Sequence, residues 1–66
     1  MKIFVNSEEI SLPQNSNIDN LINQLGLRNK RIAIEINESI IPKSRHSSFF
    51  LEAKDRIEVI DAVGGG

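Results

Sequence analysis

The chain closes on Gly64-Gly65-Gly66, the one group of residues whose type and spacing point to chemistry. Glycine makes up about 7% of average usage, so three at a given place arise from composition alone at about 0.0003. Without Cβ, the backbone can pass through a narrow channel and take conformations closed to other residues. Three extended residues reach about 10 Å, enough to carry the Gly66 carboxylate clear of a globule and into a partner's active site. A carboxylate is a poor electrophile until it is activated, typically as a mixed anhydride with a nucleotide. The chain has no phosphate-cradling loop of its own, so that activation is expected to occur in trans. The competing reading of the same three residues is an unselected end.

Other catalytic constellations are poorly supplied. There is no cysteine, which removes disulfides, a thiolate nucleophile and zinc–thiolate sites. His46 is the single histidine, and a serine–histidine pair would have to use Ser44, Ser47 or Ser48 from its own loop, with no rigid element to orient the base. His46 is therefore expected to be a solvated loop residue. Glu8-Glu9 and Glu35 with Glu38 could be read as paired carboxylates, but a metal would need further convergent ligands, and none is expected. Lys43, Arg45 and His46 make a small basic patch, either an ordinary solvated loop or a contact for an acidic partner.

The elements that must position the tail follow from size and periodicity. Sixty-six residues make one small domain, which buries only about 60% of the surface its unfolded chain exposes. Eight basic residues against nine acidic ones leave a net charge of −1, without the electrostatic footprint of a nucleic-acid binder. No apolar run has the length of a membrane span, so no membrane partner and a cytoplasmic location are expected. Met1, Ile3 and Val5 alternate with Lys2 and Phe4 in a first strand; a polar break at Asn6 to Glu9 precedes a second through Ile10 and Leu12, stopped by Pro13. Ile18, Leu21, Ile22 and Leu25 stand at i, i+3, i+4 and i+7, a helix stripe of about two and a half turns. Ser16 or Asn17 can cap its start, and Gly26 suits the left-handed position after its end.

Period two returns with Ile32, Ile34 and Ile36 against Ala33 and Glu35. A turn at Asn37 to Ser39 leads to a brief strand, Ile40-Ile41. Phe49, Phe50 and Leu51 give a second apolar anchor, Lys54-Asp55 a turn, and Arg56 to Val63 a last strand. One helix over one sheet is an α+β plan. The core expected from these phases is Ile3, Val5, Leu12, Ile18, Leu21, Ile22, Leu25, Ile32, Ile34, Ile57 and Val59. Residues 1–63 form the domain and 64–66 a flexible tail, with an expected radius of gyration of about 11 Å and no interior pocket of cofactor size.

This order of elements, ending in glycines, resembles the β-grasp fold of ubiquitin-like proteins, with one helix on a mixed sheet of four or five strands. Within that fold the chain is similar to the ThiS family of thiamine-biosynthesis sulfur carriers. The similarity rests on Ile32-Ala33-Ile34-Glu35-Ile36-Asn37, Ile40-Ile41-Pro42-Lys43, Leu51, Asp55-Arg56-Ile57-Glu58-Val59 and Val63-Gly64-Gly65-Gly66. It covers the whole chain, with Lys54 standing where the family usually has glycine before the aspartate.

The resemblance implies a carrier rather than an enzyme. An E1-like adenylyltransferase of the ThiF type, using ATP and Mg, would adenylate Gly66. A persulfide from a cysteine desulfurase would convert the adenylate to a thiocarboxylate, and a thiazole synthase of the ThiG type would accept the sulfur. No cofactor would be bound by the chain itself, and the free protein is expected to be a monomer. The alternatives are a carrier serving molybdopterin, tRNA thiolation or cysteine synthesis, a protein modifier joined through Gly66 to lysines, and a passive β-grasp interaction domain. With β-grasp strand order, Phe4, Ala33 and Ile60 fall on outward phases of neighbouring strands, flanked by Glu35 and Glu58. That face suits a partner with an apolar centre and a basic rim; scattered exposed apolar residues are the plainer reading.

Overall fold

Two hairpins are set by turn residues that accept a left-handed backbone. β1 (Lys2–Val5) and β2 (Glu8–Ser11) are joined through Asn6 and Ser7, at φ 49° and 71°. β3 (Ile32–Ile36) and β4 (Ser39–Ile41) are joined through Asn37 and Glu38, at φ 49° and 73°. Positive φ at both central residues gives the turn that matches the right-handed twist of paired strands, and asparagine tolerates it better than most residues. A computed structural model gives this architecture and describes residues 1–61. Residues 62–66 lie outside the described residues, and with them the end of the expected last strand, the expected boundary after Val63, and Gly64, Gly65 and Gly66.

β5 (Arg56–Asp61) completes a five-stranded mixed sheet in the order β2-β1-β5-β3-β4. It runs parallel to β1 and antiparallel to β3, so the last strand lies at the middle of the sheet. α1 (Ile18–Gln24) crosses one face. Of the two candidate caps, Asn17 serves: its side chain accepts from the Asn20 amide at 2.7 Å, while the Asn20 side chain accepts from the Asn17 amide at 2.9 Å, a reciprocal capping box. Ser16 is buried instead, its hydroxyl donating to the Pro13 carbonyl at 2.7 Å. At the other end Gly26 takes φ 72°, the Leu27 amide donates to Ile22 at 3.0 Å, and the Gly26 amide donates to Asn23 at 3.1 Å. Those two bonds satisfy helix carbonyls that would otherwise be orphaned and turn Leu27 back onto the core.

The core is Ile3, Val5, Leu12, Ile18, Leu21, Ile22, Ile34, Ile36, Leu51 and Ile57. Three expected members, Leu25, Ile32 and Val59, are only half-buried against it, while Ile36 and Leu51 take full places. Position along the sheet explains the exchange. Ile36 pairs with Ile57, next to β1, whereas Ile32 pairs with Asp61 at the far end of the β3–β5 register, and Val59, though opposite buried Ile34, lies beyond the last β1–β5 pair, Val5 with Ile57. Leu25 is the helix cap residue. Leu51 belongs to no strand and is drawn inward as its amide donates to the Ser16 carbonyl at 2.8 Å.

His46 departs from expectation more sharply. It is 5% exposed, placed after a 3₁₀ turn over Lys43–Arg45, with its ring Nε2 at 3.1 Å from the Ile41 carbonyl oxygen. A carbonyl only accepts, so Nε2 is the donor. The irregular segment after β4 thus buries a polar ring by satisfying it rather than leaving it in solvent.

The turn into β5 is built without glycine. Lys54 is exposed with φ 71°, and the Asp55 carboxylate accepts from the Glu52 amide at 2.8 Å and from the Asn37 side chain at 3.2 Å. A left-handed non-glycine residue costs about 1–2 kcal/mol, and glycine gives back about 0.5–1 kcal/mol through its freer unfolded state. Lys54→Gly is therefore expected to stabilise the protein by about 0.5–1 kcal/mol. A urea midpoint that stays in place or falls would show that Lys54 is not strained.

Candidate functional site

Strand register decides which expected face residues meet. Across β3 and β5, Ala33 stands opposite Ile60 and Glu35 opposite Glu58. Side chains at paired positions share a face, so these four form one block on the face away from α1. β4 brings Ile40 opposite Glu35. Ile40 is 66% exposed and Ile60 43%, which makes an apolar arc of Ile40, Ala33 and Ile60 around the two glutamates. Ile40 is a member that periodicity did not pick out, because a strand of three residues carries too little alternation to fix its phase.

Phe4 shares the face but stands apart from the arc. It pairs with Arg56 on one side and Glu9 on the other. Four residues along β5 separate Arg56 from Ile60, about 13 Å at strand rise. The expected single patch is thus an apolar arc at one end of the face and a half-buried phenylalanine at the other, with carboxylates between them.

Glu35 directly opposite Glu58 sets like charges on neighbouring strands, which is locally unfavourable. Arg56 is the cation next to Glu58 on this side of β5, and Lys2 is already paired with Glu9 at 3.3 Å. The face is therefore apolar at its edge and acidic at its middle. Among the described residues, no three His, Cys, Asp or Glu side chains converge as metal ligands. No helix there is long and apolar enough to cross a membrane.

The described chain ends on β5, the middle strand of this sheet. Asp61, the last described residue, pairs with Ile32 at the start of β3. From there to Gly66 is five residues, a reach of at most about 18 Å. Of the small basic patch, Lys43 and His46 line a groove of about 580 Å³ on the helix side, while Arg45 does not.

The sequence model of the ThiS family matches residues 1–66. The chain is 33% identical over 66 residues to the uncharacterized protein ycf40 of Porphyra purpurea, covering all of this chain and 93% of that one. It is 30% identical over 66 residues to a thiazole synthase of Paramagnetospirillum magneticum, where it spans only 20% of that protein's length. The crystal structure of the thiamine biosynthesis protein ThiS from Geobacter metallireducens superposes over the full length of both chains with a TM-score of 0.85 at 19% identity, a likeness of fold.

Proposed function

The chain belongs to the ThiS family, and on that premise we propose that it is a sulfur carrier for thiamine thiazole synthesis rather than an enzyme. The observation that carries this reading is the family match through to the terminal glycines, residues 1–66. An E1-like adenylyltransferase joins the Gly66 carboxylate to AMP from ATP, with Mg, and releases pyrophosphate. The terminal sulfur of a persulfide, supplied through a cysteine desulfurase, then displaces AMP at the acyl carbon. Cleavage of the sulfur–sulfur bond by a thiol leaves a C-terminal thiocarboxylate, whose sulfur passes to thiazole synthase. The thiazole synthase of Paramagnetospirillum magneticum, which contains a segment similar to this whole chain, supports that last partner. Incubation with the activating enzyme, ATP and a sulfur donor should replace one oxygen by sulfur, read by intact mass; an unchanged mass under conditions that load a known family member would remove the reading.

The activating enzyme is proposed to dock on the outer sheet face through Ile60, Ala33 and Phe4, with a basic rim against Glu35 and Glu58. Such a rim would relieve the repulsion between the two glutamates. Ile60 is 43% exposed, so Ile60→Ala removes about 0.6–1.3 kcal/mol of apolar contact if the exposed part is fully covered in the complex. Affinity for the activating enzyme should fall about three- to tenfold, read on variants that urea denaturation shows to be folded; Phe4→Ala should act in the same direction. Equal affinity in both variants would sink this face as the docking surface.

A further inference from the structure

A larger group of cations than Lys2 and Arg56 on the outer face is gathered on the other side of the molecule. Arg28, Lys30 and Arg31 from the segment between α1 and β3, with Lys43 from the 3₁₀ turn, line one groove. They are four of the chain's eight lysines and arginines. All four are exposed, and none forms an ion pair among the described residues. Ile22, Leu27 and Ile32 supply apolar lining, and buried His46 contributes to the wall. Asp19, the one acid there, stands near the start of α1, away from the cationic segment that follows the helix.

We propose that this groove is a second protein-docking site, taking an acidic partner segment that seats an apolar side chain on Ile22, Leu27 and Ile32 while its carboxylates meet Arg28, Lys30, Arg31 and Lys43. Complementary charge argues for the occupant: unpaired cations around an aliphatic floor match alternating acids and large apolar residues. A small anion would want a fixed, buried donor, whereas these cations sit on long exposed stems and the His46 Nε2 is engaged by Ile41. A nucleic acid would want exposed aromatic platforms, and the one ring in the lining, His46, is buried. The outer face, acidic and on the opposite side of the sheet, cannot serve the same partner surface. The molecule thus presents two different faces, one apolar with acids at its middle and one basic, to two different partners. The groove is also well placed for a carrier, since Ile32 in its lining pairs with Asp61, from which the terminal segment departs.

The test is a titration of the ¹⁵N-labelled full chain at low salt with a blocked peptide, Glu-Asp-Leu-Glu-Asp-Phe-Glu-Glu, followed by amide shifts. It uses no activating enzyme, so its result stands apart from the carrier reading. Saturable shifts should cluster on residues 22–32 and 43–46 and weaken as salt rises. Lys43→Glu should cost at least about fivefold in affinity, whereas Lys54→Glu, with the same change in net charge, should cost little. Replacing the peptide's Leu and Phe by Ser should weaken it as well. Absence of saturation, shifts on the outer face, or equal loss in the two lysine variants would overturn the proposal. So would tighter binding at the groove by pyrophosphate, a short RNA or vesicles of anionic lipid.

Discussion

Truncating Leu21 to alanine is expected to lower the free energy of unfolding by about 2–5 kcal/mol. Leu21 lies mid-helix at 0% exposure, within the buried cluster of Ile3, Ile18, Ile34 and Ile57. A 66-residue domain holds roughly 3–10 kcal/mol in all, so this one change removes a large share of it. Alanine is at least as good a helix former as leucine, and both helix caps lie outside the substituted position, so the loss isolates packing. The melting temperature should fall by about 10 °C or more. Leu25→Ala, at the half-buried cap position, is the internal comparison and should cost clearly less. A Leu21→Ala midpoint equal to that of the parent would remove the helix stripe from the core.

The stripe was legible because its spacing is a local property: four apolar residues at helical intervals between an asparagine cap and a glycine stop need no knowledge of the rest of the chain. The same holds for the hairpins, each announced by an asparagine between alternating runs. Strand order is not local. That β5 lies between β1 and β3 came from family resemblance, and no periodicity contains it. Register follows the same rule: alternation correctly set Phe4, Ala33 and Ile60 on outward phases, but only pairing shows Phe4 beside Arg56 and therefore far from Ile60. Ile36 and Ile32 share a phase and differ in burial because one meets Ile57 and the other meets Asp61.

Irregular segments conceal most. Hydropathy marks Leu51 only as one of the run Phe49 to Leu51, of which Phe50 is exposed, and nothing in the pattern signals that His46 is buried with its ring donating to the Ile41 carbonyl. The basic groove joins residues 28–32 to residues 43–46, two stretches that look like ordinary solvated loops when each is taken alone. Lys43 and His46 drew attention in the sequence; Arg28, Lys30 and Arg31 gave no reason to be associated with them.

The largest functional effect is expected at the terminus. On the carrier reading, deleting Gly66 or amidating its carboxylate should reduce thiocarboxylate formation at least about hundredfold, because misplacing a reacting group by about 1 Å costs on that order and one residue withdraws the carboxylate by about 3.5 Å. Stability and docking should barely change, for an energetic reason. Ordering three glycines costs roughly 3–6 kcal/mol, and each backbone hydrogen bond in a partner's channel returns only about 0.5–1.5 kcal/mol. Binding must then come from the folded faces, with the tail entering as a weakly held probe, which suits a carrier that visits one enzyme for loading and another for delivery. Gly65→Val keeps the carboxylate and the length but adds bulk and restricts φ, so it should fail at loading while still docking. Intact mass after incubation with activating enzyme, ATP and sulfur donor reads the first quantity, and direct binding to the same enzyme reads the second. Loss of both together would move the binding energy into the tail, and full loading of the chain that lacks Gly66 would overturn the assignment of that carboxylate as the sulfur-bearing group.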